Sequence, residues 1–216
     1  MPATLEKEPA VTSIPVPKIP LRPTVGPYTV ADWVAFEEGK ERKHELRNGE
    51  FYEMAGATYD HNVITGDLSV ELSIALRGTG CETLPSDQKV YVDNTNGLYP
   101  DIVVVCGEPM ITPEESLQNP VLIVEVLSPS TAGDDRGAKF AKHRTCPTLR
   151  HYLLVEQNEP TIEHFEKGEN GIWSLVAEHH TLEETLTLTV SGATVQIPLT
   201  TIYRRVPFPV PAVPND

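Results

Sequence analysis

One acidic residue inside an otherwise apolar run constrains this chain more than any other feature. The run is Val121-Leu122-Ile123-Val124-Glu125-Val126-Leu127, stopped by Ser128-Pro129-Ser130. Continuous apolar runs of this length fit strands covered on both faces, with helices above and below. In an extended chain, residues 121, 123, 125 and 127 share one face. An unpaired carboxylate buried there costs several kcal/mol. Glu125 therefore needs a cation or strong hydrogen-bond donors, unless it meets solvent or an arginine at the strand end.

A second apolar run, Ile102–Cys106, follows Tyr99-Pro100-Asp101. Pro100 donates no backbone hydrogen bond and suits a strand entrance, which makes Asp101 the residue that opens the strand. A Pro-Asp pair alone is a common turn. Two carboxylates on two buried strands are more informative: with a backbone carbonyl and waters they form an oxygen donor set that suits Mg²⁺. A third element is Asp134-Asp135-Arg136-Gly137-Ala138-Lys139-Phe140-Ala141-Lys142-His143. Asp135 and Lys139 are four apart and share a helix face. In isolation that is a capped surface helix with an ion pair, but the short loop after Glu125 returns this helix beside the strand end.

Around these runs the pattern alternates between helix and strand. Residues 28–45 read as mainly helical with Thr29 as cap, and Arg47-Asn48-Gly49-Glu50 as a hairpin turn. Asp60 caps a helix carrying Ile64, Leu68, Leu72, Ala75 and Leu76 on one face, ended by Gly78 and Gly80. Strands are expected at 81–84, 89–92, 102–106, 121–127, 151–156, 161–167, 172–178, 186–190 and 194–197, the last two closing the sheet. A short helix is expected over 135–144. This order implies a mixed α/β sandwich, with the strands at 102–106 and 121–127 adjacent and the helices flanking them.

Composition narrows the function classes. Of 20 prolines, seven fall in residues 1–27 and four in 205–216. The expected organisation is thus a Pro-rich extension (1–27), a domain (28–204) and a Pro-rich tail (205–216). No apolar run reaches the roughly 18–20 residues of a membrane span, and the N-terminus has no apolar segment of the secretory type. The three cysteines, Cys81, Cys106 and Cys146, read as neither a disulfide framework nor a zinc pair, which suggests a reducing cytoplasm. The net charge of −14 argues against unspecific nucleic-acid binding. It leaves room for a local basic patch from Lys89, Arg136, Lys139, Lys142, Arg144 and Arg150. No phosphate-binding glycine loop, nucleophile elbow or HExxH pair is present.

The runs PDIVVV, VLIVEVLSPSTAGDDRGAKFAKHR and HYLLVE, with the earlier HELRNGEFYEM and the helix starting at His61, together resemble the Uma-type endonuclease family over residues 28–204. The resemblance implies a restriction-endonuclease-like fold, a mixed β-sheet flanked by α-helices, with a PD-(D/E)-x-K type active site. Asp101 would be the Asp of the PD motif and Glu125 the second acidic residue. The lysine usual two positions later is absent, since position 127 is leucine; the resemblance implies that Lys139 on the following helix replaces it. It further implies Mg²⁺ (or Mn²⁺) held by Asp101, Glu125 and the Val126 carbonyl. Lys139 would be catalytic, with His61 and Asp135 in supporting positions.

The expected activity is metal-dependent hydrolysis of DNA by a homodimer. The alternative is a catalytically idle nuclease-fold module that binds protein or nucleic acid, and the acidic balance favours that alternative. Lys139, read as partly exposed, is expected to matter for rate and little for folding. Glu45 and Glu50, flanking the hairpin, are read as solvated.

Overall fold

The structure is a computed structural model that describes residues 27–129 and 131–208. Most of both Pro-rich tails therefore lies outside the described residues. The chain forms a mixed α/β fold of three sheets, as the sequence implied. The strands are β1 (His44–Arg47), β2 (Glu50–Glu53), β3 (Cys81–Pro85), β4 (Lys89–Asp93), β5 (Asn96–Leu98), β6 (Ile102–Cys106), β7 (Ser116–Leu117), β8 (Pro120–Leu127), β9 (His151–Glu156), β10 (Ile162–Lys167), β11 (Trp173–His179), β12 (Thr185–Val190) and β13 (Ala193–Pro198). A six-stranded sheet has the order β11-β10-β9-β8-β6-β3, a five-stranded sheet β2-β1-β5-β4-β7, and a two-stranded sheet pairs β12 with β13.

The two apolar runs are β6 (Ile102–Cys106) and β8 (Pro120–Leu127), adjacent and antiparallel in the middle of the six-stranded sheet. Alternation along β8 separates two cores. Leu122, Val124 and Val126 face Ile64, Leu68 and Leu72 of α2 (Tyr59–Ala75). Ile123 and Leu127 face Phe140, Leu149 and Tyr152 on the other side. β8 pairs in parallel with β9 (His151–Glu156), so a crossover must join them. That crossover is helical but not a plain α-helix. α3 (Ala132–Asp134) runs into a π-turn (Asp135–Lys139) and then α4 (Phe140–His143).

The five-stranded sheet holds the hairpin. α1 ends at Glu37, well short of the expected residue 45. The helix (Val30–Glu37) opens with a capping box in which Thr29 and Asp32 bond reciprocally. β1 (His44–Arg47) and β2 (Glu50–Glu53) meet at Asn48 and Gly49, both at positive φ, the geometry an Asn-Gly hairpin turn requires. The buried Trp33 fixes α1 onto this sheet, donating from Nε1 to the His44 carbonyl at 2.6 Å. Its ring packs against Gly97 of β5 (Asn96–Leu98), where a Cβ would come within 2.1 Å of Trp33 Cζ3. Gly97→Ala is expected to cost about 2–3 kcal/mol by overpacking, read from urea denaturation. Gly133→Ala, with open space around it, should cost far less.

β10 (Ile162–Lys167) and β11 (Trp173–His179) extend the sheet to its edge. β12 (Thr185–Val190) and β13 (Ala193–Pro198) do not close it, contrary to expectation. They form a separate hairpin, because Leu186, Leu188, Val190, Val195 and Ile197 all point the same way into the α2 core. The cysteines also correct the sequence reading. Cys81 of β3 (Cys81–Pro85) stands directly opposite Cys106 of β6, and the two form a disulfide. Cysteine usage therefore gives no argument for a reducing compartment. No helix among the described residues is long and apolar enough to cross a membrane.

Candidate active site

The end of β8, the entrance of β6, the N-terminus of α2 and the π-turn converge on one point. Glu125 is buried, on the face of β8 that its alternation dictates. Asp101 accepts the Val126 amide on Oδ2 at 2.7 Å, which ties the two strand ends together. His61, in the first turn of α2, brings Nε2 to 3.2 Å from the same Asp101 oxygen.

Lys139 enters from the π-turn, and its Nζ lies 3.0 Å from Glu125, 3.3 Å from Asp135 and 3.3 Å from Glu45. The structure thus brings Asp101, Glu125, Val126, Lys139, Asp135 and His61 into one cluster. Lys139 is only 6 % exposed. It is a buried cation among three carboxylates, and the expectation that it matters little for folding is withdrawn. Lys142, one turn on, instead donates to Asn48 of the hairpin.

Glu45 is the residue the sequence reading missed. It is 1 % exposed, not solvated. Glu45 Oε1 accepts the Tyr99 amide at 3.1 Å, and Oε2 accepts Arg47 Nε at 2.8 Å. Arg47 also pairs with Asp134 at the start of the crossover helix. The hairpin is thereby bonded to that helix at Glu45–Lys139, Arg47–Asp134 and Asn48–Lys142.

The electrostatics follow from burial and crowding. Burial is the largest influence on Glu125 and raises its pKa. Lys139 pulls it back, Asp101 and Glu45 push it up again, and the result is about 8. Asp135 is raised to about 6, chiefly by burial and then by Glu125. Glu45 is held below the usual carboxylate range, because Lys139, Arg47 and the Tyr99 amide outweigh its burial. Lys139 is raised well above its usual value despite burial, since all three carboxylates favour its charge. His61 is also raised, its burial outweighed by Asp101, Glu125 and the Val126 backbone. His143, with Nε2 3.5 Å from Glu125, is lowered to about 3 by burial and Lys139 and stays neutral.

Four carboxylates (Glu45, Asp101, Glu125, Asp135) thus face two fixed cations (Lys139, Arg47). Without an ion the crowding is relieved by protonation, since Glu125 keeps its proton to about pH 8 and the raised His61 stands against Asp101; Asp101 and Glu125 offer oxygen donors. Those donors fit a hard divalent cation.

Of the basic residues expected to form a patch, Lys139 stands in the cluster itself, and others are engaged elsewhere. Arg136 pairs with Glu156 and Glu163, Lys89 donates to the Glu114 carbonyl, and Arg144 lies over the Phe140 ring.

Comparison with known proteins places the chain. The family model Uma2, described as "Putative restriction endonuclease", matches residues 30–200. Two uncharacterized proteins of Synechocystis sp., sll1609 and slr1290, are each 36% identical to it. The first aligns over 68% of this chain and 85% of its own length, the second over 67% and 77%. A crystal structure from Anabaena variabilis, described as a "putative nuclease belonging to DUF820", superposes with a TM-score of 0.63 at 12% identity. It covers 82% of this chain and 98% of its own, a likeness of fold.

Proposed function

We propose that this chain, which belongs to the Uma2 family of "Putative restriction endonuclease" proteins, hydrolyses DNA phosphodiester bonds with Mg²⁺ or Mn²⁺, acting as a homodimer. The observation that carries the reading is the convergence of the Asp101 and Glu125 oxygen donors on one point beside Lys139. Asp101 and Glu125 would hold the ion, with the Val126 carbonyl as a third oxygen donor. When bound, such an ion activates a water and offsets charge on the phosphate.

The chain's own residues supply the remainder. Lys139 presents a positive charge toward the reacting phosphate, held in place by Glu45 and Asp135. Arg47 fixes Glu45, so the hairpin acts on the lysine at one remove. His61 holds Asp101 in orientation and can carry a proton at Nε2. His143 stays neutral beside Glu125.

The net charge of −14 and the pairing of Arg136 with two glutamates favour a second reading, in which the fold is a catalytically idle binding module. One assay separates them: plasmid and single-stranded DNA are incubated with Mg²⁺ or Mn²⁺ and either the native chain or Asp101→Asn. The nuclease reading expects cleavage that falls by at least about 10³ in the variant. Equal rates for the two proteins, or no cleavage with either ion, would reject it.

A further inference from the structure

The face of the six-stranded sheet opposite Glu125 carries a second cluster that the nuclease reading does not use. His151 opens β9 and shares its face with Leu122 of the α2 core. His164 lies on β10, and Glu166 stands directly across from His151. His151 Nδ1 and His164 Nε2 are 3.1 Å apart, and both rings are buried. With one oxygen of the exposed Glu166, the three donor atoms all lie within 4.8 Å of one another.

Two histidine nitrogens on one tetrahedral ion, each at about 2.0–2.1 Å, stand about 3.3 Å apart. The separation here is nearly that bite. The His151 ring is oriented by a hydrogen bond with the Thr189 backbone on β12. A backbone partner of this kind fixes the tautomer of a metal-binding histidine and leaves its other nitrogen free to bind. A fourth group is close. His179 on β11 acts electrostatically on His164, and its Nε2 is buried with no hydrogen-bond partner among the described residues. A simple histidine–histidine hydrogen bond accounts for the 3.1 Å contact, but not for the adjoining carboxylate or the orphaned His179 nitrogen.

We propose that His151, His164 and Glu166 form a binding site for a transition-metal ion of the Zn²⁺ class, clamping β9 to β10 beneath the β12–β13 hairpin. Two nitrogens and one oxygen suit Zn²⁺, Co²⁺ or Ni²⁺, and do not suit Mg²⁺. The site is independent of the carboxylate cluster, which lies on the other face of the sheet.

The test uses Co²⁺ as a coloured probe on the full chain carrying Asp101→Asn, so that ions at the carboxylate cluster do not interfere. We expect one Co²⁺ per chain, with the intense visible absorption of a four-coordinate nitrogen–oxygen site, displaced stoichiometrically by Zn²⁺. Glu166→Gln, at an exposed position, should weaken binding at least tenfold without changing the fold. His151→Gln should abolish the visible bands, with circular dichroism checking that the chain remains folded. Absence of Co²⁺ binding, a weak octahedral spectrum, or affinity unchanged by Glu166→Gln would each overturn the site. Failure of the DNA assay would leave it standing.

Discussion

Lys139→Ala is expected to damage both rate and folding. The side chain is buried against Glu45, Glu125 and Asp135, so its removal leaves three carboxylates around a vacated cation position. Breaking a buried ion pair from one side typically costs 3–5 kcal/mol, because the remaining charge has no partner. Some of that loss will be relieved by proton uptake at Glu125 and Asp135, whose pKa values are already high. A loss of about 3 kcal/mol in the metal-free protein at pH 7 is therefore expected, measured by urea denaturation. Nuclease turnover, assayed well below the variant's melting temperature, should fall by roughly 10²–10³, the scale of one preorganised electrostatic group. Lys142→Ala serves as the control, since its contact with Asn48 lies on the surface and should contribute under about 1 kcal/mol. A stable Lys139→Ala protein with native turnover would reject the role assigned to the lysine.

Glu125→Gln is expected to abolish activity and yet stabilise the metal-free chain at alkaline pH. The unfolded chain releases the Glu125 proton near pH 4.5, whereas the folded chain keeps it to about pH 8. Between those values the folded state binds more protons than the unfolded state, so stability falls as pH rises. Asp135 adds to the decline up to about pH 6, and the raised His61 acts in the same direction. Glu45 acts oppositely, contributing stability that is lost only as pH falls. Glutamine removes the Glu125 part. The variant should melt roughly 5 °C above the native chain at pH 8.5, with the gap closing toward pH 5. Saturating Mg²⁺ should reverse the order at pH 8.5, because only the native carboxylate gains from the ion. Melting curves by calorimetry at three pH values, with and without Mg²⁺, check all of this. A native chain more stable at pH 8.5 than at pH 5.5 without metal would contradict it.

The part of the site legible in the sequence is the part encoded locally. Glu125 stood out because a charge inside an apolar strand is costly wherever the strand is buried, and Asp135 and Lys139 were linked by helical spacing alone. Glu45 was illegible for the converse reason. β1 is only four residues long, and nothing in His-Glu-Leu-Arg says that a helix some 90 residues later will close over it. The same limit hid the Cys81–Cys106 pair and the His151–His164–Glu166 cluster. Each depends on which residues two strands place opposite one another, and register is a property of the assembled sheet. Helix α1 stops at Glu37 because Glu38 leaves the helical conformation and Gly39 takes a positive φ, while the Glu37 side chain accepts the His44 amide at the entrance of β1.

The disulfide encloses the stretch from Glu82 to Val105, and that stretch contains β4 (Lys89–Asp93), β5, Gly97 and Asp101. A protease that nicks the exposed turn between Asp93 and Asn96 would therefore release no fragment. The two pieces would migrate as one on a non-reducing gel and separate only after a thiol is added. Asp101 would stay tethered to β6 in the nicked protein, so a cut in the segment that leads to β6 need not disperse the residues gathered at its entrance.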